Sequence, residues 1–122
     1  MTIVAPRPLH WEGSSKKDFK TFPLVVQKNM GLWLFVVQSG RQPVSAKPWR
    51  GLGPGIFELI DDHQGDTFRA VYLVQVGNAV HVLHAFQKKS KSGISTPRPD
   101  IALVTKRLKL VMARHGPHKR QA

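Results

Sequence analysis

Cysteine is absent from the 122-residue chain, which excludes disulfide bridges and thiolate-ligated zinc. Long apolar runs are missing too: no stretch of about 18 apolar residues exists, so no membrane-spanning helix is expected. The opening MTIVAPRPLHW has no basic start followed by an apolar segment, so no secretory leader is expected and the expected address is cytoplasmic. GxSxG, a Walker loop and HExxH are all lacking, and with them the sequence signals of serine hydrolases, P-loop enzymes and zinc proteases. No internal repeat is present. Acidic residues are scarce, seven against 19 Lys and Arg, for a formal net charge of +12.

The scarcity is uneven along the chain. From Phe86 to Ala122 there are ten basic residues and a single acid, Asp100, while four of the seven acids lie between Glu58 and Asp66. A one-signed end of this kind attracts polyanions, above all nucleic-acid phosphate. A solubilising or membrane-attracted tail is the plainer alternative.

The stretch Thr67–Lys91 organises the rest. Two runs rich in Val, Leu, Phe and Tyr, Phe68–Val76 and Ala79–Lys88, flank Gly77-Asn78, where glycine supplies the positive φ of a tight hairpin turn. These strands carry apolar residues on both faces. They also carry Arg69, Tyr72, His84, Gln87, Lys88 and Lys89, polar groups that are costly to bury without partners and are therefore expected at a sheet end or an open face.

Before the hairpin, Leu9 and Trp11 alternate with His10 and Glu12, which predicts a short strand within Arg7–Glu12. Ser14 and Ser15 offer caps for a helix reaching Phe22, with Asp18 completing a near capping box from Ser15. In Leu24–Gln38, Val26, Met30, Trp33, Leu34 and Val37 fall on one helical face, and Gly40 is placed to end the helix. Leu32, Phe35 and Val36 lie off that stripe, either covered by another layer or open to a partner. Arg41–Pro54, with three prolines and two glycines, predicts a loop; its Lys47, Trp49 and Arg50 suit phosphate pairing and base stacking, or equally an anchor to the core. Gly55–Asp61 predicts a further strand, and Asp61–Asp66 the turn into the hairpin. After the loose segment Ser90–Ser95, Thr96 or Asp100 caps a last helix whose stripe is Ile101, Val104, Leu108 and Val111, ended by Gly116-Pro117. The order strand, helix, helix, three strands, helix predicts an α+β fold: one domain over residues 1–122, with an ordered core of about 8–114, in which helices pack on one face of a sheet.

Asp61, Asp62, His63 and Asp66 hold oxygens that a hard cation would accept, but aspartates in a glycine-containing turn are explained by their own backbone hydrogen bonds, and no metal site is expected there. His115 suits the cationic end of a helix, as does His118 just beyond it. What remains is a cationic site. Cleaving RNA without metal requires a base for the 2′-hydroxyl proton, cations for the phosphorane and an acid for the leaving oxygen. Arg69, Lys47, Lys88 and Lys89 supply charge, and Tyr72 or His84 exchanges protons. Strand periodicity puts Arg69 and Tyr72 on opposite faces unless a bulge or strand end intervenes.

Several strings resemble the HigB-like, phage-related branch of the RelE/ParE toxin superfamily: PLHWEGSSKKDFKTFP near the start, KPWRGLGPGIFELI in the middle, FRAVY and VHVLHAFQKKS on the hairpin, and the TP before the last helix. Together they run from about Pro8 to Arg114. The resemblance implies a microbial-RNase-like domain with a small twisted antiparallel sheet and helices on one face. It implies endonucleolytic cleavage of translated mRNA on the ribosome, with no metal or cofactor, and silencing by a helix-turn-helix, HigA-like antitoxin. It assigns Arg69 to the scissile phosphate, makes Tyr72 the aromatic that closes its motif, matches Lys88 and Lys89 to a paired lysine, and includes His84 and Phe86 in the same string. Lys47 matches a basic residue, and Trp49, Arg50, Phe86 and Lys91 complete the expected RNA contacts. The run KKSKSGISTP is longer than the family's usual connection and shifts the start of the last helix. Two other functions fit the same superfamily: gyrase inhibition of the ParE type, or a non-enzymatic, phage-derived nucleic-acid-binding module.

Overall fold

The hairpin lies at the middle of a five-stranded sheet. The computed structural model describes residues 5–88 and 96–115. In chain order the elements are β1 (Leu9–Trp11), α1 (Ser15–Phe19), α2 (Leu24–Gln38), β2 (Ala46–Pro48), β3 (Ile56–His63), β4 (Asp66–Val76), β5 (Ala79–Lys88) and α3 (Arg98–His115). Across the sheet they run β1-β5-β4-β3-β2. The predicted α+β class is the one observed, and no helix among the described residues is long and apolar enough to cross a membrane.

Two particulars differ from expectation. β1 pairs in parallel with β5, Leu9 opposite Val80 and Trp11 opposite Val82, so the sheet is mixed, not wholly antiparallel. Helices also cover both faces, not one. Phe19 and Phe22 with the α2 stripe of Val26, Met30, Leu34 and Val37 pack on Leu59, Ala70, Tyr72 and Val82. On the other face α3 lays Val104, Leu108 and Val111 against Ile56, Val71, Leu73 and Leu83. The cause is legible in the hairpin: strands apolar on both sides must be covered twice.

Local chemistry explains the joints. Ser15 does not cap α1; its hydroxyl is buried and donates to the Val82 carbonyl at 3.1 Å, tying α1 to β5, while Ser14 donates to Asp18 at 2.8 Å. The Gln27 amide donates to the carbonyls of Lys20 and Phe22, closing the corner between α1 and α2. α2 ends in a Schellman motif, Arg41 N–H to Val36 O and Gly40 N–H to Val37 O. Its outer side stays open, with Leu32 68% and Phe35 55% exposed. The loop expected over Arg41–Pro54 contains a short edge strand, β2, which three prolines conceal in the sequence; Lys47 stands opposite Glu58. The aspartate turn is tighter than expected, since β3 extends to His63, which pairs with Asp66.

A β-bulge decides the geometry of β5. Val71 pairs with His84 but Tyr72 with Val82, which leaves Leu83 as the extra residue. Leu83 and His84 therefore both serve the α3 side of the sheet, and the strand's alternation resumes beyond them.

Candidate functional site

On the α3 face, register brings charged residues together near the end of the sheet where α3 begins. Arg69 of β4 stands between Ile60 and Phe86, and two residues along on the same face Val71 stands between Glu58 and His84. Lys47 extends that row to the edge, opposite Glu58. These residues share one face because alternate strand positions do. Above them opens a cleft of about 690 Å³, bounded by the Pro48–Leu52 segment and, at the start of α3, by Thr96 and Ile101, with Glu58 and Arg69 on its floor.

Arg69 is held by one nitrogen. Its Nη1 donates to both carboxylate oxygens of Glu58, at 3.1 and 3.2 Å, and the two side chains are 14% and 12% exposed. Its Nε is buried with no hydrogen-bond partner among the described residues. A buried orphan donor is rare in a folded protein, and here it lies on a guanidinium that borders an open cleft. The Nε–Nη2 edge of an arginine is the fork that takes a phosphate or carboxylate through two parallel bonds.

Around this pair, the expected residues separate. Lys88 lies on the same face, opposite Thr67, and is mostly buried. Trp49 is half-buried and packs on the α3-side core, so it anchors the loop, while Arg50 is exposed at the cleft rim and Lys47 is exposed on the edge strand. Lys89 and Lys91 lie outside the described residues.

Three expectations need correction. Tyr72 is fully buried on the opposite face, stacked on Phe57 at 5.8 Å, and its hydroxyl donates to Gln42 Oε1 at 2.8 Å. Burial pushes its ionisation well above the ordinary phenol range, so it is no base at neutral pH, and the sheet separates it from Arg69. The bulge that sequence periodicity left open does occur, but in β5, where it does not turn Tyr72 around. Tyr72→Phe is accordingly expected to cost about 1 kcal/mol of stability and to leave any activity of the cleft within about twofold of wild type; urea denaturation and an activity assay on the same preparation check this.

His84 is also a structural residue. Its Nε2 lies 2.7 Å from Asp100 and its Nδ1 3.4 Å from Nη1 of Arg107, which also donates to the Leu83 carbonyl at 3.0 Å. An arginine nitrogen only donates, so Nδ1 is the acceptor and Nε2–H points at Asp100. Both ring nitrogens are committed, and neither is available to a substrate. Phe86, 7% exposed, stacks on the His84 ring at 4.9 Å and belongs to the core, so it is not a platform for bases. Two aspartates near the β3–β4 turn are taken up by other side chains, not by the backbone bonds expected of a turn: Asp61 accepts from Asn29 of α2 at 2.9 Å and Asp62 from Thr67 at 2.8 Å.

Glu58 is the residue that sequence reasoning missed. Among the described residues it is the only acid that lines the cleft. The signal was present: an acid inside the apolar run IFELI, on a strand next to the one that carries Arg69, is a buried charge in need of a partner.

The chain matches, over residues 17–109, the family described as "Phage derived protein Gp49-like", a span that includes Lys47, Glu58, Arg69 and Lys88. None of the curated proteins compared with it matches. Among solved structures, it is similar to a chain of the toxin-antitoxin complex RelBE2 from Mycobacterium tuberculosis, at 18% identity and a TM-score of 0.47, covering 74% of this chain and 100% of that one.

Proposed function

The chain belongs to the phage-derived Gp49-like family, and from that premise we propose that it is the toxin of a toxin-antitoxin pair, an endoribonuclease that cuts mRNA on the translating ribosome. The observation that carries this reading is the Glu58–Arg69 pair on the floor of an open, basic-rimmed cleft, with the arginine's Nε lacking a partner. The resemblance of FRAVY and HAFQKK to the HigB-like toxins, and a net charge of +12, support it further.

The pair divides the chemistry. Glu58, as carboxylate, takes the proton of an RNA 2′-hydroxyl. The freed 2′-oxygen attacks the adjacent phosphorus, and the bond to the 5′-oxygen breaks. Arg69, whose guanidinium lines the cleft, neutralises the phosphorane oxygens where charge develops in the transition state. Lys88, among the described residues the only buried lysine, gives a proton to the departing 5′-oxygen. Lys47 and Arg50 hold flanking phosphates, and Lys89 and Lys91 add charge to the same run of chain. The products are a 2′,3′-cyclic phosphate and a 5′-hydroxyl, and no metal or cofactor takes part. A helix-turn-helix antitoxin silences the protein in the cytoplasm; the open apolar side of α2, with Leu32 and Phe35, offers it a surface.

The test is controlled expression of the chain alone, followed by primer extension on a pair of reporters that differ only in the start codon. Cuts in the translated reporter and none in its untranslated twin are expected. Growth arrest with intact transcripts and DNA-damage signalling would instead indicate the gyrase-inhibiting alternative.

A further inference from the structure

At the opposite end of β5, about 16 Å from the Arg69 level at 3.3 Å per strand residue, a second group of polar side chains has no part in RNA cleavage. His10 and Glu12 project from the same side of β1, and His81 is the register partner of His10 across on β5. One ligand atom from each of His10, Glu12 and His81 lies within 4.8 Å of the other two. His81 is fully buried and Glu12 is 8% exposed, while His10 faces solvent with its ring edge-on to His81 at 5.3 Å.

A neutral imidazole cannot satisfy both acceptors around His81. Its Nε2 lies 3.3 Å from the carbonyl oxygen of Val76, and because a carbonyl only accepts, Nε2 carries the hydrogen. In a neutral ring Nδ1 then meets Glu12 Oε2 at 3.1 Å as lone pair against lone pair, so either a second proton on His81 or a metal ion lies between them. The other Glu12 oxygen is fixed by Nη2 of Arg114 at 2.7 Å, so the carboxylate keeps Oε2 turned toward the histidines. An imidazole whose second nitrogen donates to a backbone carbonyl, beside a carboxylate oriented from behind, is how proteins prepare metal ligands.

We propose that His10, Glu12 and His81 form a site for a late first-row divalent cation of the zinc class, bound by two imidazole nitrogens and one carboxylate oxygen. This is a donor set that zinc accepts with a further position left open, here on the solvent side beside His10. Arg114 and His115 stand in the last turn of α3, with the His115 ring 5.5 Å from that of His81, so the ion sits near the negative end of the helix dipole. Its role is that of a clasp that joins edge strand β1 to β5 beneath the end of α3. The RNA-cleaving cleft does not depend on it.

The experiment uses the full chain without an affinity tag, freed of metal by chelation. It is titrated with Zn²⁺ by calorimetry and with Co²⁺ by visible absorption. Binding of one ion per chain, a rise in melting temperature with Zn²⁺, and a cobalt spectrum of nitrogen-oxygen coordination are expected. His10→Ala and Glu12→Gln should each weaken Zn²⁺ binding about tenfold or more, whereas His63→Ala, at the end of β3, should not change it. His10 is exposed, so its variant keeps the test valid even if changes at His81 prevent folding. Absence of stoichiometric binding, or binding unchanged in both His10→Ala and Glu12→Gln, would overturn the proposal and leave a proton as what fills the gap.

Discussion

Arg69→Ala is expected to lower cleavage of translated transcripts by about 10²–10³-fold and to restore growth to cells that express it. The side chain lines the cleft and, among the described residues, is tied down only through Nη1 to Glu58. Its loss therefore removes transition-state charge stabilisation without removing core volume. Stranding the Glu58 carboxylate costs on the order of 1–3 kcal/mol, a cost that could be mistaken for the cause. Arg69→Ala combined with Glu58→Gln removes the stranded charge and should recover stability but no cleavage. Arg69→Lys keeps the charge but loses the two-pronged geometry, and should fall between wild type and Arg69→Ala. Wild-type cleavage by Arg69→Ala would exclude the cleft as the site.

Arg107→Ala is expected to have the largest effect on stability, about 3–5 kcal/mol, the range for breaking a buried charged network. Arg107 is 9% exposed, yet it donates to the Leu83 carbonyl freed by the bulge and to Ser14, and it faces His84. The fit is close: a Cβ on Gly13 would stand 2.6 Å from Arg107 Nε. Removing the guanidinium leaves a buried carbonyl and an imidazole nitrogen unpaired and opens a void. At about 4 °C per kcal/mol for a chain of this size, the melting temperature should fall by more than 10 °C, and the urea midpoint should fall with no change in slope. A loss below about 1 kcal/mol would mean that the network does not hold α3 on the sheet.

Local signals carried much of the fold. Gly77-Asn78 marked the hairpin, and the 3.6-residue stripe of α2 marked its buried face, because both depend on near neighbours. The parallel pairing of β1 with β5 depends on contacts about 70 residues apart, and nothing in LHW announces a partner. Edge strand β2 is three residues ending in proline, too short to show periodicity. At the site, the charged face was partly legible: Arg69, Lys47 and Lys88 do share one side of the sheet. His84, Tyr72 and Phe86 look the same in sequence as exposed functional groups; only the positions of Asp100, Arg107 and Gln42 show that the polar atoms of His84 and Tyr72 are already satisfied, and only packing on His84 shows Phe86 to be core. Glu58 was overlooked because an acid inside an apolar strand has meaning only once the arginine on the next strand is seen beside it.

The central claim is that Glu58 and Arg69 together cut RNA. Its most direct test is the chemistry of the cut ends in translated transcripts after expression of the wild type and of Glu58→Gln, with folding of both confirmed by thermal melting. The wild type should leave 2′,3′-cyclic phosphates and 5′-hydroxyls. Glu58→Gln, with Arg69 released from its neutralising partner, should hold RNA at least as tightly and leave transcripts whole. Wild-type cleavage by Glu58→Gln, or 5′-phosphate ends from the wild type, would contradict it.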